Sequence, residues 1–110
     1  DEFTPEESRV NWDFYEPRTM HDSSLSAAIH SVVASDLNLP EESYRYFQKA
    51  SRIDLGNELL NSGHGLHAAS LGGLWQAAIY GFAGIRMKDQ ILYVNPRLPE
   101  AWSKLCRCRL

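Results

Sequence analysis

Between residues 25 and 82 apolar side chains recur with the 3.6-residue period of a helix, and from residue 85 the period drops to two. That switch constrains the fold more than any other feature, because it demands a block of helices followed by a short stretch of strand. The first stripe, Leu25, Ala28, Ile29, Val32 and Val33, predicts a helix behind Asp22, Ser23 or Ser24. Each of those three can cap it through a side-chain oxygen. Asp36 to Leu39 ends this helix, and Pro40 with Glu41 and Glu42 opens a second, in keeping with the helix dipole. The second stripe is Tyr44, Phe47, Ala50 and Ile53, with Gly56 as the stop. After a loop over 57–65, Leu71, Leu74, Trp75, Ala78, Ile79 and Phe82 define a third helix. Gly72, Gly73, Gly81 and Gly84 lie in it or at its end. A glycine costs a helix about 1 kcal/mol relative to alanine, so these positions demand close packing or a backbone role.

Beyond the helices, Ile85–Met87 and Ile91–Val94, joined near Lys88-Asp89-Gln90, predict a β-hairpin. Asn95-Pro96 and Leu98-Pro99 break the chain before Trp102, and residues 106–110 predict a truncated strand. At the other end, the stretch to about Arg9 reads as loop or frayed terminus, and Val10–Tyr15 as an ordered loop ending at Glu16-Pro17. The expected class is therefore mainly α: three amphipathic helices, a hairpin and a truncated strand. Three wide apolar faces in 110 residues make a poor self-contained core, which points to a fragment of a larger unit.

Composition removes several functional classes. Eleven basic against fourteen acidic side chains leave a net charge of −3, with the basic residues scattered, so no nucleic-acid surface is expected. No apolar run approaches the roughly 20 residues a membrane span requires. The N-terminal residues have neither a basic nor an apolar segment of the signal-peptide kind, and the missing initiator Met suggests processing or excision. Cys106 and Cys108, two apart, cannot form a good disulfide with each other, and reduced thiols imply a cytoplasmic setting. Phosphate-cradling, dinucleotide-binding and serine-hydrolase motifs are all absent from the sequence.

Two segments concentrate polar groups. In residues 15–26, Arg18, Thr19, His21, Ser23 and Ser24 surround an expected helix start, where unpaired N–H groups and the dipole favour an anion, phosphate above all. The alternative is a plain cap with His21 packed as a neutral ring. In residues 64–70, His67 and Ser70 share a helical face, and Gly65 and Ala68 would let a ligand approach the backbone. The alternative there is a glycine-bearing loop with solvated histidines. His64 and His67 lack a third ligand for a metal, so none is expected. Trp12 and Trp75 could stack on a sugar, though a tryptophan on a helical stripe is more often core.

Taken together, these segments resemble glycoside hydrolase family 65, which includes maltose, trehalose and kojibiose phosphorylases. Residues 15–26, YEPRTMHDSSLS, are similar to the family's YEPxTxHDSSLS. Residues 65–70, GLHAAS, resemble its GLHIAS with Ala68 for isoleucine. Residues 81–86, GFAGIR, resemble GFAGMR, and residues 95–102, NPRLPEAW, resemble NPRLPEEW. The four motifs stand in family order. Two departures are His64, where the family often has an acid, and Asp89-Gln90 in place of an Asp-Gly turn.

The resemblance implies the C-terminal part of a catalytic (α/α)6 barrel over residues 1–87, with residues 88–110 leading into a C-terminal β-domain. It implies that a glutamate preceding this stretch acts as general acid. Phosphate then attacks the anomeric carbon with inversion, giving β-glucose 1-phosphate from an α-linked disaccharide. Inorganic phosphate is the co-substrate and no cofactor is expected. Because phosphate is already an anionic nucleophile, it needs positioning rather than a base. His21, Ser23, Ser24, Gly65, His67 and Ser70 are the expected phosphate-binding residues. If the protein is instead a hydrolase of the family, Glu16 is the expected base toward water, its other role being an ion pair with Arg18. The isolated chain, without the acid, would be inactive, and its partners would be the rest of the catalytic domain and further copies in a homo-oligomer. A non-catalytic helical interaction module is the remaining alternative.

Overall fold

Thr4 begins the ordered chain by capping a helix that the apolar pattern did not announce. In the computed structural model, which describes residues 3–56 and 65–106, α1 spans Pro5–Tyr15. The Thr4 side chain accepts from the Glu7 N–H at 3.2 Å, and Glu7 Oε2 accepts from the Thr4 N–H at 2.8 Å. This reciprocal capping box, with Pro5 in the first turn and Glu6 and Glu7 at the positive dipole end, explains a helix that has no fully buried residue. It replaces both the frayed terminus expected to Arg9 and the loop expected over Val10–Tyr15. A short 3-10 turn, Glu16–Arg18, follows.

The remaining elements are α2 (Ser26–Asp36), α3 (Pro40–Ser51), α4 (Ala68–Gln76), a π-helical turn (Ala77–Phe82), β1 (Ile85–Lys88) and β2 (Ile91–Val94). The described chain is thus mainly helical, with four α-helices rather than three, and a two-stranded antiparallel hairpin. Lys88 pairs with Ile91, and Asp89 and Gln90 between them both take positive φ, 50° and 62°. That is the turn geometry whose twist matches a hairpin. Residues 103–106 form no strand, and the rest of the expected truncated strand lies outside the described residues.

α2 is central, packed by α3, α4 and the π turn. Its buried face is Ala27, Ala28, Ser31, Ala34 and Ser35, whereas Leu25, Ile29 and Val33 of the expected stripe are exposed. The small residues win the interior because neighbouring backbones come very close. A Cβ on Gly73 would stand 2.9 Å from the Ala28 Cβ. The buried hydroxyls are satisfied across the contacts: Ser31 and Ser43 each donate to the other's carbonyl at 2.8 Å, and Ser35 donates to the Gly81 carbonyl at 2.8 Å. On α3, Ala50 is buried as expected, as is Ile53 just beyond the helix, but Ser43 and Tyr46 face inward in place of a deeper Tyr44 and Phe47. On α4, Leu71 and Trp75 are exposed and Ser70 faces inward, and the π turn adds Ala77, Gly81 and Phe82 to the interior.

A second cluster anchors the C-terminal segment. Phe47, Phe82 and Trp102 meet edge to face with centroids 5.0–5.3 Å apart. Gly84 sits at φ +60, and a Cβ there would collide with the Asn95 carbonyl oxygen at 1.8 Å. Arg86 grips Asp36 through two bonds of 2.8 and 3.0 Å, and Arg97 adds a third at 3.2 Å, so the hairpin is strapped to the end of α2.

Candidate functional site

The turn between the 3-10 segment and α2 carries the first polar motif, and a chain of hydrogen bonds sets its shape. His21 adopts φ 57°, a left-handed conformation uncommon for a side-chain-bearing residue. Its ring bridges two elements: Nδ1 lies 2.8 Å from Ser26 Oγ on α2, and Nε2 lies 3.0 Å from Tyr46 Oη on α3. Tyr46 Oη in turn donates to Glu16 Oε1. Donor logic fixes the direction of the whole chain. Tyr46 has one proton and gives it to the carboxylate, so His21 Nε2 must be the donor to Tyr46, and Nδ1 accepts from the Ser26 hydroxyl. His30 Nδ1 donates to the Ser26 carbonyl at 2.9 Å, its ring edge-on to His21. Trp12 closes the cluster against His30 and Tyr46, which makes it packing rather than a sugar platform.

Electrostatics agree with a neutral His21. Burial, followed by the neighbouring His30, Lys49 and Arg45, lowers its pKa below the usual histidine value, with Glu16 opposing. Burial and the bond to Glu16 push the Tyr46 phenol up to about 12. Glu16 also faces Arg45 at 3.6 Å. The expected pairing with Arg18 does not form: Arg18 donates to the Phe14 carbonyl at 2.6 Å and lies over the Phe14 ring.

The expected cap of α2 is absent. Leu25 occupies the N-cap position without a side-chain bond, and Ser23 Oγ instead accepts from the Leu25 N–H at 3.2 Å. Ser23 therefore serves the turn before the helix. An open cleft of about 210 Å³ borders this turn, lined by Met20, His21, Asp22, Ser23, Lys49 and Ile53 among others.

The second motif meets the first through Ser70, whose hydroxyl donates to the Ser24 carbonyl at 3.1 Å. His67 holds the N-cap position of α4. Asp54, just beyond α3, accepts from the His67 ring Nδ1 at 2.6 Å and from its backbone N–H at 3.1 Å. The bond from the His67 ring is the main cause of a lowered Asp54 pKa. Gly65, at φ +104, is exposed on the approach to α4. His64 lies outside the described residues. Among the described residues no group of three metal-ligating side chains comes together, and no helix is long and apolar enough to cross a membrane.

The structure brings Ser70 of the second motif to the Ser24 carbonyl of the first, and sequence reasoning missed Tyr46, His30, Asp54, Arg45 and Lys49. Ser26 and His30 stand four apart on one helix, a spacing that could have been noticed. Tyr46 and Asp54 carried no local signal.

With this geometry in hand, the chain can be placed: it is a member of glycoside hydrolase family 65, whose central catalytic domain matches residues 1–76. It is 46% identical over 105 residues to the kojibiose phosphorylase of Halothermothrix orenii, covering 96% of this chain and 14% of that protein. The α,α-trehalose phosphorylase of Thermoanaerobacter brockii is 43% identical with the same coverage, and the maltose phosphorylase of Bacillus subtilis 40%, over 94% and 14%. A solved structure from the human microbiome, assigned provisionally to the kojibiose phosphorylases, superposes with a TM-score of 0.84 at 38% identity. It covers 92% of this chain and 15% of that one. The chain thus spans about one seventh of the curated relatives it matches.

Proposed function

We propose that this chain is the phosphate side of an inverting disaccharide phosphorylase. In this reading residues 1–87 close the (α/α)6 barrel and residues 88–110 lead into the C-terminal β-domain. An α-linked glucose disaccharide and inorganic phosphate are the substrates, β-glucose 1-phosphate is a product, and no cofactor takes part. His67, turned by Asp54, offers Nε2 to the anion, while Ser23 and Ser24 present the turn that His21 shapes and Ser70 holds in place. Gly65 gives the anion close backbone access. The same reading carries a cytoplasmic location and a homo-oligomeric assembly.

The observation that carries the choice of phosphorolysis is the state of Glu16. An inverting hydrolase needs a carboxylate poised to take a proton from water. Glu16 instead accepts from Tyr46 and faces Arg45. A carboxylate so occupied neither repels a dianion strongly nor activates water, and phosphate brings its own nucleophilic oxygen. The test is Glu16→Gln in the full-length protein, assayed on α-linked disaccharides with and without phosphate. Strict phosphate dependence with a modest loss of turnover is expected. Sugar release in phosphate-free buffer that falls by several decades on this substitution would establish the hydrolase instead.

A further inference from the structure

We propose that Tyr46, which lies on α3 and outside every motif, is a positioning residue for phosphate use: its hydroxyl fixes the His21 ring with the proton on Nε2 and so sets the turn that carries Ser23 and Ser24. This rests on the phosphorolysis reading above.

The hydrogen-bond chain determines the tautomer from one end. Glu16 is acceptor only, so the Tyr46 proton points to it and the phenolic oxygen can only accept from His21. A neutral His21 then has a bare Nδ1, which takes the Ser26 hydroxyl proton at 2.8 Å. The backbone needs this anchoring because His21 sits at φ 57°, where a non-glycine residue persists only when its surroundings over-determine it. Tyr46 is 3% exposed and packed by Trp12 and by the His21 and His30 rings, so its phenolic oxygen is held in place and only the O–H can swing. From that turn the chain passes directly to Ser23 and to Ser24, whose carbonyl Ser70 holds. Without the phenolic oxygen nothing selects Nε2–H over Nδ1–H, and the Ser26 bond can reverse.

The geometry distinguishes three substitutions. Tyr46→Phe keeps the ring and its packing but removes the relay. Glu16→Ala keeps Tyr46 but lets its hydroxyl turn and donate to His21, which inverts the tautomer. Glu16→Gln retains an amide oxygen that still accepts from Tyr46, so the direction survives.

In the full-length enzyme, steady-state kinetics should show the KM for phosphate rising about tenfold in Tyr46→Phe and in Glu16→Ala. The KM for disaccharide should stay within about twofold, and Glu16→Gln should restore most of the phosphate affinity lost in Glu16→Ala. An unchanged phosphate KM in Tyr46→Phe, or equal rises for both substrates, overturns the proposal, since packing alone would give those results. Collapse of turnover in Glu16→Gln together with phosphate-independent sugar release refutes the phosphorolysis reading instead, so the two failures are distinguishable. Nitrogen-15 NMR of the histidine-labelled wild-type enzyme is a second measurement that needs no variant. A neutral His21 protonated on Nε2 is expected, and one protonated on Nδ1 overturns the proposal.

Discussion

Two histidines stand in the two motifs of this site, and they are held by opposite chemistry. His21 is gripped by neutral hydroxyls, Ser26 on one ring nitrogen and Tyr46 on the other, and its surroundings disfavour its charged form. His67 is gripped by a carboxylate, Asp54, through both its ring and its backbone. A hydroxyl-bound ring with both nitrogens engaged is a strut, able to fix a turn but not to meet a ligand. The carboxylate-bound ring commits Nδ1 to Asp54 and, in the phosphorolysis reading, turns its other nitrogen toward the phosphate. In that reading one motif gives shape and the other gives contact, although sequence alone assigned both histidines the same role.

The largest effect that would sharpen this contrast is expected at the contact histidine. In the proposed site His67→Ala in the full-length enzyme removes a hydrogen-bond partner of the bound anion, worth about 1.5–3 kcal/mol or one to two decades in kcat/KM for phosphate. A phosphate dependence equal to wild type would break the contrast at once.

The pH dependence of stability comes next, and the two histidine sites should respond in separate windows. Because the folded pKa of His21 is below its unfolded value of about 6.5, the unfolded chain binds the proton first. Stability is then fully present above 6.5 and is lost as pH falls from there through the folded pKa. Asp54 is likewise depressed from 3.8, so its share survives the first window and is lost only below about 3.8. Tyr46, raised from 10 to about 12, contributes stability that is present below 10 and fades between those values. Thermal unfolding of the full-length protein at closely spaced pH should show the first decline near pH 6, weakened in His21→Asn. A flat profile from pH 7.5 to 5 would mean that His21 is not held neutral.

The smallest effect should follow from Ser26→Ala. It leaves Nδ1 of His21 without its donor and should lower stability by about 1 kcal/mol, read from the unfolding midpoint at pH 7.5. An unaltered midpoint there would show that the strut hangs from Tyr46 alone.

How much of this was legible varies with the range of the interactions involved. The hairpin was read correctly because a period of two and a two-residue turn are local properties of residues 85–94. The start of α3 at Pro40 was equally local. The capping box from Thr4 to Glu7 is just as local, but α1 lacks the apolar stripe that marks the other helices in the sequence. The inward face of α2 was a different matter. Hydrophobic periodicity marks the face that carries large side chains, and here Leu25, Ile29 and Val33 lie on the exposed side of the described chain while Ala and Ser take the interior. Only the close approach of Gly73 and Gly81 to α2 makes the smaller face the better one to bury.

The sequence by itself determined the family, the helical class and the residues of the two polar motifs, because motifs and periods are written within a few residues of one another. It could not determine what each of those residues touches. Tyr46 lies 25 residues from His21 and 30 from Glu16, and Asp54 lies 13 from His67. Such pairs are made by the packing of α3 against α2 and of α4 against both. Tertiary structure alone decided that His21 is held between two hydroxyls and His67 against a carboxylate. A histidine's tautomer and charge follow from its hydrogen-bond partners and its burial, and in both cases the decisive partner came from a distant part of the chain.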